Sequence, residues 1–333
     1  MLKTKSKFYK TKLTTAEEKS AYNIILTDLV NLKSEITIKA NIATYAKVYI
    51  KKLVRAVRAD NPGLFYVNFQ NFSFTRDNFH IKLFFDFYYN IAEIANIEQK
   101  ILDKISPIIN SVNALKTPYD KEIALHDYLI STVKYENGNQ KPHELHSLVG
   151  AILDGKAVCD GFAMAFKLLC DSVGISCIVV FGKATDASST ESHAWNIVKL
   201  SEKCYHVDVT WDACTTFDLV NYGNFNITDE NMARDHTWSK SFFPSCNSLE
   251  YDYYLRNDCY FTNSANLKKY IKTGLENGQR KFSVKISRKF KNESTIHKFV
   301  QDAVQSLLSP SFLTFSYKLQ YIPNRGVINI VGL

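Results

Sequence analysis

The stretch GKAVCDGFAMAFKLLCDSVGI, residues 155–175, places a cysteine at the start of a predicted helix. Its apolar residues recur at helical spacing until Gly174 ends the pattern. Cys159 therefore falls in the first turn, where the partial positive charge and the free N–H groups of a helix N-terminus stabilise a thiolate. Because glycine lets another group approach the backbone closely, we expect Gly161 to contact the substrate.

Two later segments, HAWNIVKL from His193 and CYHVDVTW from Cys204, are typical of the strands of an antiparallel hairpin. Directly opposed residues share a face, and an odd position can oppose an even one only across a turn of even length. A two-residue turn at 201–202 meets this condition and places Trp195 opposite Asp208, with His193 on the adjacent diagonal. The pattern predicts that Asp208 lies beside His193.

Strand alternation assigns different roles to two tryptophans of this hairpin. Trp195 shares the side of His193, so we expect it to form a wall of the substrate site. Trp211 faces away from Asp208 by the same rule, and we expect it to be a core residue.

A thiol, an imidazole and a carboxylate together point to nucleophilic catalysis. A thiol is mostly protonated at neutral pH, so a neighbouring base must take its proton, and we assign that role to His193. A carboxylate on the other ring nitrogen fixes the tautomer and stabilises the cation, which is the role expected of Asp208. His206 is the rival base, but it lies in the interior of a strand, where a hydrogen-bonded structural histidine is the ordinary outcome.

These segments, with SHAWNIVKL at 192–200 and YHVDVTWD at 205–212, resemble the core of the bacterial transglutaminase-like superfamily. The resemblance extends from TPYDKEIALHDYL at 117–129 to FPSCNSLEYDYY at 243–254. It implies a papain-related core with Cys159 as nucleophile, His193 as base and Asp208 as its orienting carboxylate. Phe162 is a departure, since a tyrosine is frequent at that position of the family.

The predicted fold class is α+β, a transglutaminase-like core with small flanking α/β modules. The N-terminal accessory region, 1–115, combines two amphipathic helices within 14–60, two aromatic strands and a helix at 93–113. The catalytic core is predicted at 116–262. The C-terminal accessory region, 263–333, has its elements in chain order: a helix at 267–275, a strand at 281–286, a helix at 294–308 and strands at 312–322 and 326–331.

Composition limits the partners and the compartment. The net charge of +8, from 41 basic and 33 acidic residues, comes without a nucleic-acid-binding motif, so we expect no specific nucleic-acid partner. Seven cysteines without a CxxC pair disfavour structural zinc and a disulfide framework, and the chemistry requires neither metal nor cofactor. The sequence shows no uninterrupted apolar stretch of the kind that a signal peptide or a membrane segment requires. We expect a cytoplasmic protein, or a secreted or cell-surface one if a signal preceding Met1 has been removed.

The expected reaction is acyl transfer from a peptide or protein carboxamide through a thioester on Cys159. The polar loop predicted at 183–192 favours hydrolysis, because a dry site would be needed for an amine to compete with water. Two alternatives stay open: a protein-glutamine transglutaminase that forms cross-links, and a non-catalytic peptide-binding module.

Overall fold

The computed structural model describes residues 2, 4–39, 46–136, 142–186, 188–214, 219–287, 294, 298 and 317–332. Within them the fold is α+β, as predicted, with mainly antiparallel sheets. We refer to residues up to 113 as the N-terminal region, to 118–261 as the central region and to residues from 264 onward as the C-terminal region.

The N-terminal region contains a three-stranded sheet in the order β1-β3-β2 together with four helices. Its elements are α1 (Phe8–Thr11), α2 (Ala16–Val30), β1 (Glu35–Lys39), α3 (Ala46–Asp60), β2 (Ser73–Arg76), β3 (His80–Phe84) and α4 (Ile91–Asn113). The two predicted helices are confirmed, but the sequence did not predict β1 between them. Only its alternate residues Ile36 and Ile38 are buried, and β1 is held by pairing with β3 much later in the chain. The two aromatic strands are shorter than predicted, because residues 64–72 form turns.

The central region begins with a capped helix and contains the predicted site. Its elements are α5 (Pro118–Thr132), β4 (Lys134–Tyr135), a 3₁₀ turn (His143–His146), a π turn (Gly150–Asp154), β5 (Lys156–Ala157), α6 (Cys159–Ser172), β6 (Ser176–Thr185), β7 (Thr190–Leu200), β8 (Lys203–Val207), α7 (Val209–Ala213), α8 (Asp229–Met232), β9 (His236–Thr237), a 3₁₀ turn (Lys240–Phe242), α9 (Tyr253–Arg256) and β10 (Tyr260–Phe261). Thr117 caps α5 by accepting a hydrogen bond from the N–H of Asp120.

Four strands of the central region form one sheet in the order β8-β7-β6-β9. The predicted hairpin register is confirmed, since Asn196 pairs with Val207 and Leu200 with Lys203. The loop predicted at 183–192 is shorter in the structure, because β6 runs to Thr185 and β7 starts at Thr190. The second strand of the β7–β8 hairpin is also shorter than predicted. The chain turns into α7 directly after Asp208.

The C-terminal region forms a sheet in the order β10-β11-β13-β12. Its own elements are α10 (Ser264–Glu276), β11 (Lys281–Ile286), β12 (Tyr317–Ile322) and β13 (Val327–Gly332). The helix and strand predicted at 267–275 and 281–286 are confirmed. The helix predicted at 294–308 lies outside the described residues apart from Ser294 and Lys298.

Side-chain contacts join the three regions. The Tyr9 hydroxyl donates to the Val179 carbonyl at 2.8 Å, and one buried hydrophobic cluster includes residues from Leu2 to Ile330. The domain boundaries at 115/116 and 262/263 stay predictions. Among the described residues, no helix combines the length and apolar character needed to cross a membrane.

Candidate active site

Cys159 is the first residue of α6 and is partly exposed at the edge of a cavity of about 620 Å³. The residue before it, Val158, offers no side-chain cap to the helix. The first N–H groups of α6 are therefore free of a capping side chain and available to a developing negative charge. The cavity is bordered by the ends of β6 and β7, by α7 and by residues 320–323 of the C-terminal region.

His193 joins the thiol to a buried carboxylate. Its Nε2 donates to Asp208 Oδ2 at 2.8 Å, and the ring also interacts electrostatically with Cys159. Burial lowers the pKa of His193, but the charge and hydrogen bond of Asp208, reinforced by Cys159, raise it to about 10. The imidazole is thus held in its protonated form at neutral pH.

Asp208 is fully buried and has several donors around it. Its Oδ1 accepts the N–H of Trp211 at 3.2 Å and so caps α7, while Oδ2 accepts from both His193 and His236, the latter at 3.1 Å. Burial raises the pKa of Asp208, but the two histidines more than offset this and hold the pKa well below its ordinary value. Asp208 is therefore an anion, as an orienting carboxylate must be.

His206, the rival base, lies away from the cavity with both ring nitrogens occupied. Its Nδ1 accepts from Trp195 Nε1 at 3.0 Å, so Nε2 carries the proton and donates to Asp229 Oδ1 at 2.8 Å. Burial lowers the pKa of His206 despite the carboxylate. The structure places His193, and not His206, against Asp208.

Comparison with known proteins identifies the central segment. Residues 108–209 match the family model of the transglutaminase-like superfamily. They form a transglutaminase-like domain. The match begins before the predicted boundary at 116 and includes Cys159, His193 and Asp208.

Three solved structures are similar to parts of the chain. A candidate cysteine protease from Cytophaga hutchinsonii is 15% identical over 42% of this chain and 61% of its own, with a TM-score of 0.29. A TGase is 16% identical over 57% and 54%, with a TM-score of 0.29, and menin is 14% identical over 66% and 48%, with a TM-score of 0.26. The chain spans less than two thirds of each of these proteins. No curated protein sequence matches it.

The structure corrects the expected roles of Trp195, which lies in the transglutaminase-like domain, and of Trp211, which follows it. Trp195 is 1% exposed and does not border the cavity; its ring lies 6.0 Å from that of His193 and packs beneath it. Trp211 borders the cavity instead. The alternation argument failed because residues 209–213 are helical, which turns Trp211 towards His193.

Gly161 also has a different role from the one expected. It is buried in α6, and a Cβ at this position would collide with the carbonyl oxygen of Leu145. The glycine therefore permits close packing of α6 against the preceding turn of the transglutaminase-like domain, and its contact is with the protein and not with the cavity.

Sequence reasoning missed two residues of the site. His236 is not among the residues that the sequence pattern assigns to the site, but it donates to Asp208; the RDHTW segment at 234–238, within the family resemblance, is the available signal. Tyr135 lines the cavity, and its hydroxyl forms no hydrogen bond with another described residue. Burial, followed by the charge of Cys159, raises the pKa of Tyr135 to about 12, so the phenol stays a donor.

Among the residues that the structure describes, two groups of side chains have ligand atoms close enough to surround a metal ion, all within 4.8 Å of one another. They are His193 with Asp208 and His236, and His206 with Asp229 and Cys246. In the first group the histidines already donate to Asp208, and in the second the thiol of Cys246 is kept protonated by burial, which raises its pKa. We assign no metal to either group.

Proposed function

We propose that this protein is a cysteine hydrolase that acts on peptide or protein carboxamides. Cys159 is the nucleophile, His193 the general base and acid, and Asp208 the orienting carboxylate. The observation that carries the proposal is the position of His193, which bonds Asp208 at 2.8 Å and borders the same open cavity as Cys159, with which it interacts electrostatically. This is the arrangement that nucleophilic thiol catalysis requires.

In the acylation step the Cys159 thiolate attacks the carbonyl carbon and a carbon–sulfur bond forms. The negative charge moves to the carbonyl oxygen, where the N–H groups at the start of α6 stabilise it. The carbon–nitrogen bond then breaks as His193 gives its proton to the departing amine. The products are a free amine and a thioester on Cys159.

In the second step His193, now neutral, takes a proton from water as the water oxygen attacks the thioester. The carbon–sulfur bond breaks, the acid leaves, and the thiolate and the imidazolium are restored. The polar character of the cavity supports water as the acceptor, because its lining includes Ser188, Ser192, Thr210 and Asn221. Transfer to an amine needs a site that keeps water out.

A transglutaminase is the second candidate, and two carboxylates favour it. Asp186 and Glu191 lie on the cavity wall, where they would attract the protonated amine of a lysine side chain. Good positioning of that amine can be worth an effective molarity of roughly 10⁵ M or more, enough to outcompete water.

The test is to incubate the protein with a glutamine-containing peptide library and a millimolar primary amine in ¹⁸O-labelled water, and to analyse products and protein by mass spectrometry. We expect an acyl adduct on Cys159 and mostly ¹⁸O-labelled acid as product. A majority of amide product would establish a transglutaminase. Cys159→Ala is the inactive control and Cys204→Ala the matched thiol control. Peptide binding that is equal in wild type and Cys159→Ala, without any adduct, would instead identify a binding module.

A further inference from the structure

A chain of hydrogen-bonded charged side chains leads from Asp208 to the C-terminal region. His236 donates from Nε2 to Asp208 at 3.1 Å, and its Nδ1 lies 2.6 Å from Asp235 Oδ1. The same Asp235 oxygen accepts from Arg325 Nη2 at 2.7 Å. Arg325 lies in the turn between β12 and β13, which is 90 residues beyond Asp235 in the chain.

The order of this chain follows from its hydrogen-bonding groups. A carboxylate can only accept hydrogen bonds, and His236 lies between two carboxylates. Nitrogen groups and carboxylates then alternate from Arg325 through Asp235, His236 and Asp208 to His193. In a buried site such alternation stabilises every member, whereas loss of one leaves its neighbour unpaired.

The Arg325 side chain is buried, and its guanidinium donates several hydrogen bonds. It is 4% exposed, its Nε donates to Asn224 Oδ1 at 2.7 Å, and its Nη1 donates to the carbonyl of Asn231 at 3.0 Å. The backbone of Asn224 in turn accepts the N–H of Asp208 at 3.0 Å. The guanidinium is therefore linked to Asp208 by two routes, to its carboxylate through Asp235 and His236 and to its backbone N–H through Asn224.

We propose that Arg325 is a positioning residue of the candidate active site, and that it acts through Asp235 and His236 to hold Asp208 against His193. The inference rests on the proposed function and extends it, because it makes the C-terminal region part of the catalytic apparatus. Arg325 does not border the cavity of Cys159, so it acts on the alignment of the site and not on substrate contact.

Other titratable groups surround the two ends of the chain. Tyr135 interacts electrostatically with Cys159 and also with Asp160, Glu191 and Cys214. His206 interacts with both His236 and Arg325, but it is held neutral by burial and by its bond from Trp195. The chain of charges is the hydrogen-bonded link between Arg325 and Asp208 that an Arg325 variant breaks.

The test is the pH dependence of alkylation of Cys159 by iodoacetamide, followed by peptide mass spectrometry on the full-length protein. In Arg325→Met the loss of a cation and the looser Asp208 both disfavour the thiolate. We expect its alkylation profile to move to higher pH by about one unit, a tenfold loss of thiolate at a given pH. Arg325→Lys, which keeps the charge, should recover part of the shift.

Lys285→Met is the matched control. Lys285 pairs with Asp252 at 2.6 Å and also joins β11 to the central region, and both residues border a cavity that Arg325 also lines. We expect its alkylation profile to coincide with that of wild type. An unshifted Arg325→Met, or an equal shift in Lys285→Met, would overturn the inference. If Arg325→Met does not fold, Arg325→Gln, which also removes the cation, decides by the same criterion. A wild-type Cys159 no more reactive than the buried Cys170 would instead contradict the proposed function itself.

Discussion

Glu122 on α5 offers a quantitative test of how burial controls ionisation beside the site. Its side chain is fully buried, and Oε2 accepts from Asn226 Nδ2 at 2.9 Å. The other oxygens of this pair, Glu122 Oε1 and Asn226 Oδ1, are buried without a partner. Burial raises the pKa of Glu122 to about 8, so at neutral pH the carboxyl is protonated and can donate to the unpaired amide oxygen. Glu122→Gln keeps that donor without an ionisable group.

The direction in which the free energy of unfolding changes with pH follows from proton binding. Native Glu122 keeps its proton up to about pH 8, whereas the unfolded chain loses it near the ordinary value of 4.5. Between these values the native state binds more protons, so the wild-type free energy of unfolding falls as pH rises, by up to about 1.4 kcal/mol per unit. From 4.5 to neutral pH the loss amounts to about 3 kcal/mol for this fully buried group. Glu122→Gln has no ionisable group at this position and therefore does not lose this stability as the pH rises.

The assay is urea unfolding followed by circular dichroism, from about pH 5 to about pH 8, for wild type and Glu122→Gln. We expect the free energies of unfolding of the two proteins to be nearly equal at about pH 5. Near neutral pH we expect the variant to be more stable by about 3 kcal/mol. Glu202→Gln is the control, since that side chain is 91% exposed in a turn and should show no such gap. A difference between wild type and Glu122→Gln that does not change with pH would refute the reasoning, because it would mean that Glu122 does not titrate between the two values.

The remaining predictions concern the candidate catalytic groups. Cys159→Ala and His193→Ala should each abolish turnover in the peptide assay with little change in thermal midpoint. Asp208→Ala should keep a residual rate, because the carboxylate orients a base and does not itself transfer a proton. It should also lower the midpoint, since α7 loses its cap. His206→Ala should stay active but lose about 1–3 kcal/mol of stability, because Trp195 Nε1 is left buried without an acceptor. An active His193→Ala with an inactive His206→Ala would reverse the assignment of the base.

The sequence by itself determined those features that depend on neighbouring residues. A cysteine at the start of an amphipathic segment falls at a helix N-terminus whatever the rest of the chain does, and Cys159 begins α6. The β7–β8 register followed from parity and a two-residue turn, because side chains alternate strictly along a strand. These local rules were sufficient to bring His193 and Asp208 together, and the motifs around them were sufficient for the family resemblance.

Tertiary structure decided the features that depend on distant segments. The strand could not be followed past Asp208 from its pattern alone, because the Asp208 side chain caps the N–H of Trp211 and turns the chain into α7, which brings Trp211 to the cavity. Gly161 is needed where α6 meets a separate turn. No spacing rule places Arg325 near Asp208, since the link is made only when the β12–β13 turn packs on the central region and its buried charges pair. Preferences of neighbouring residues determine local conformation, whereas contacts between distant segments form only when the whole chain packs together.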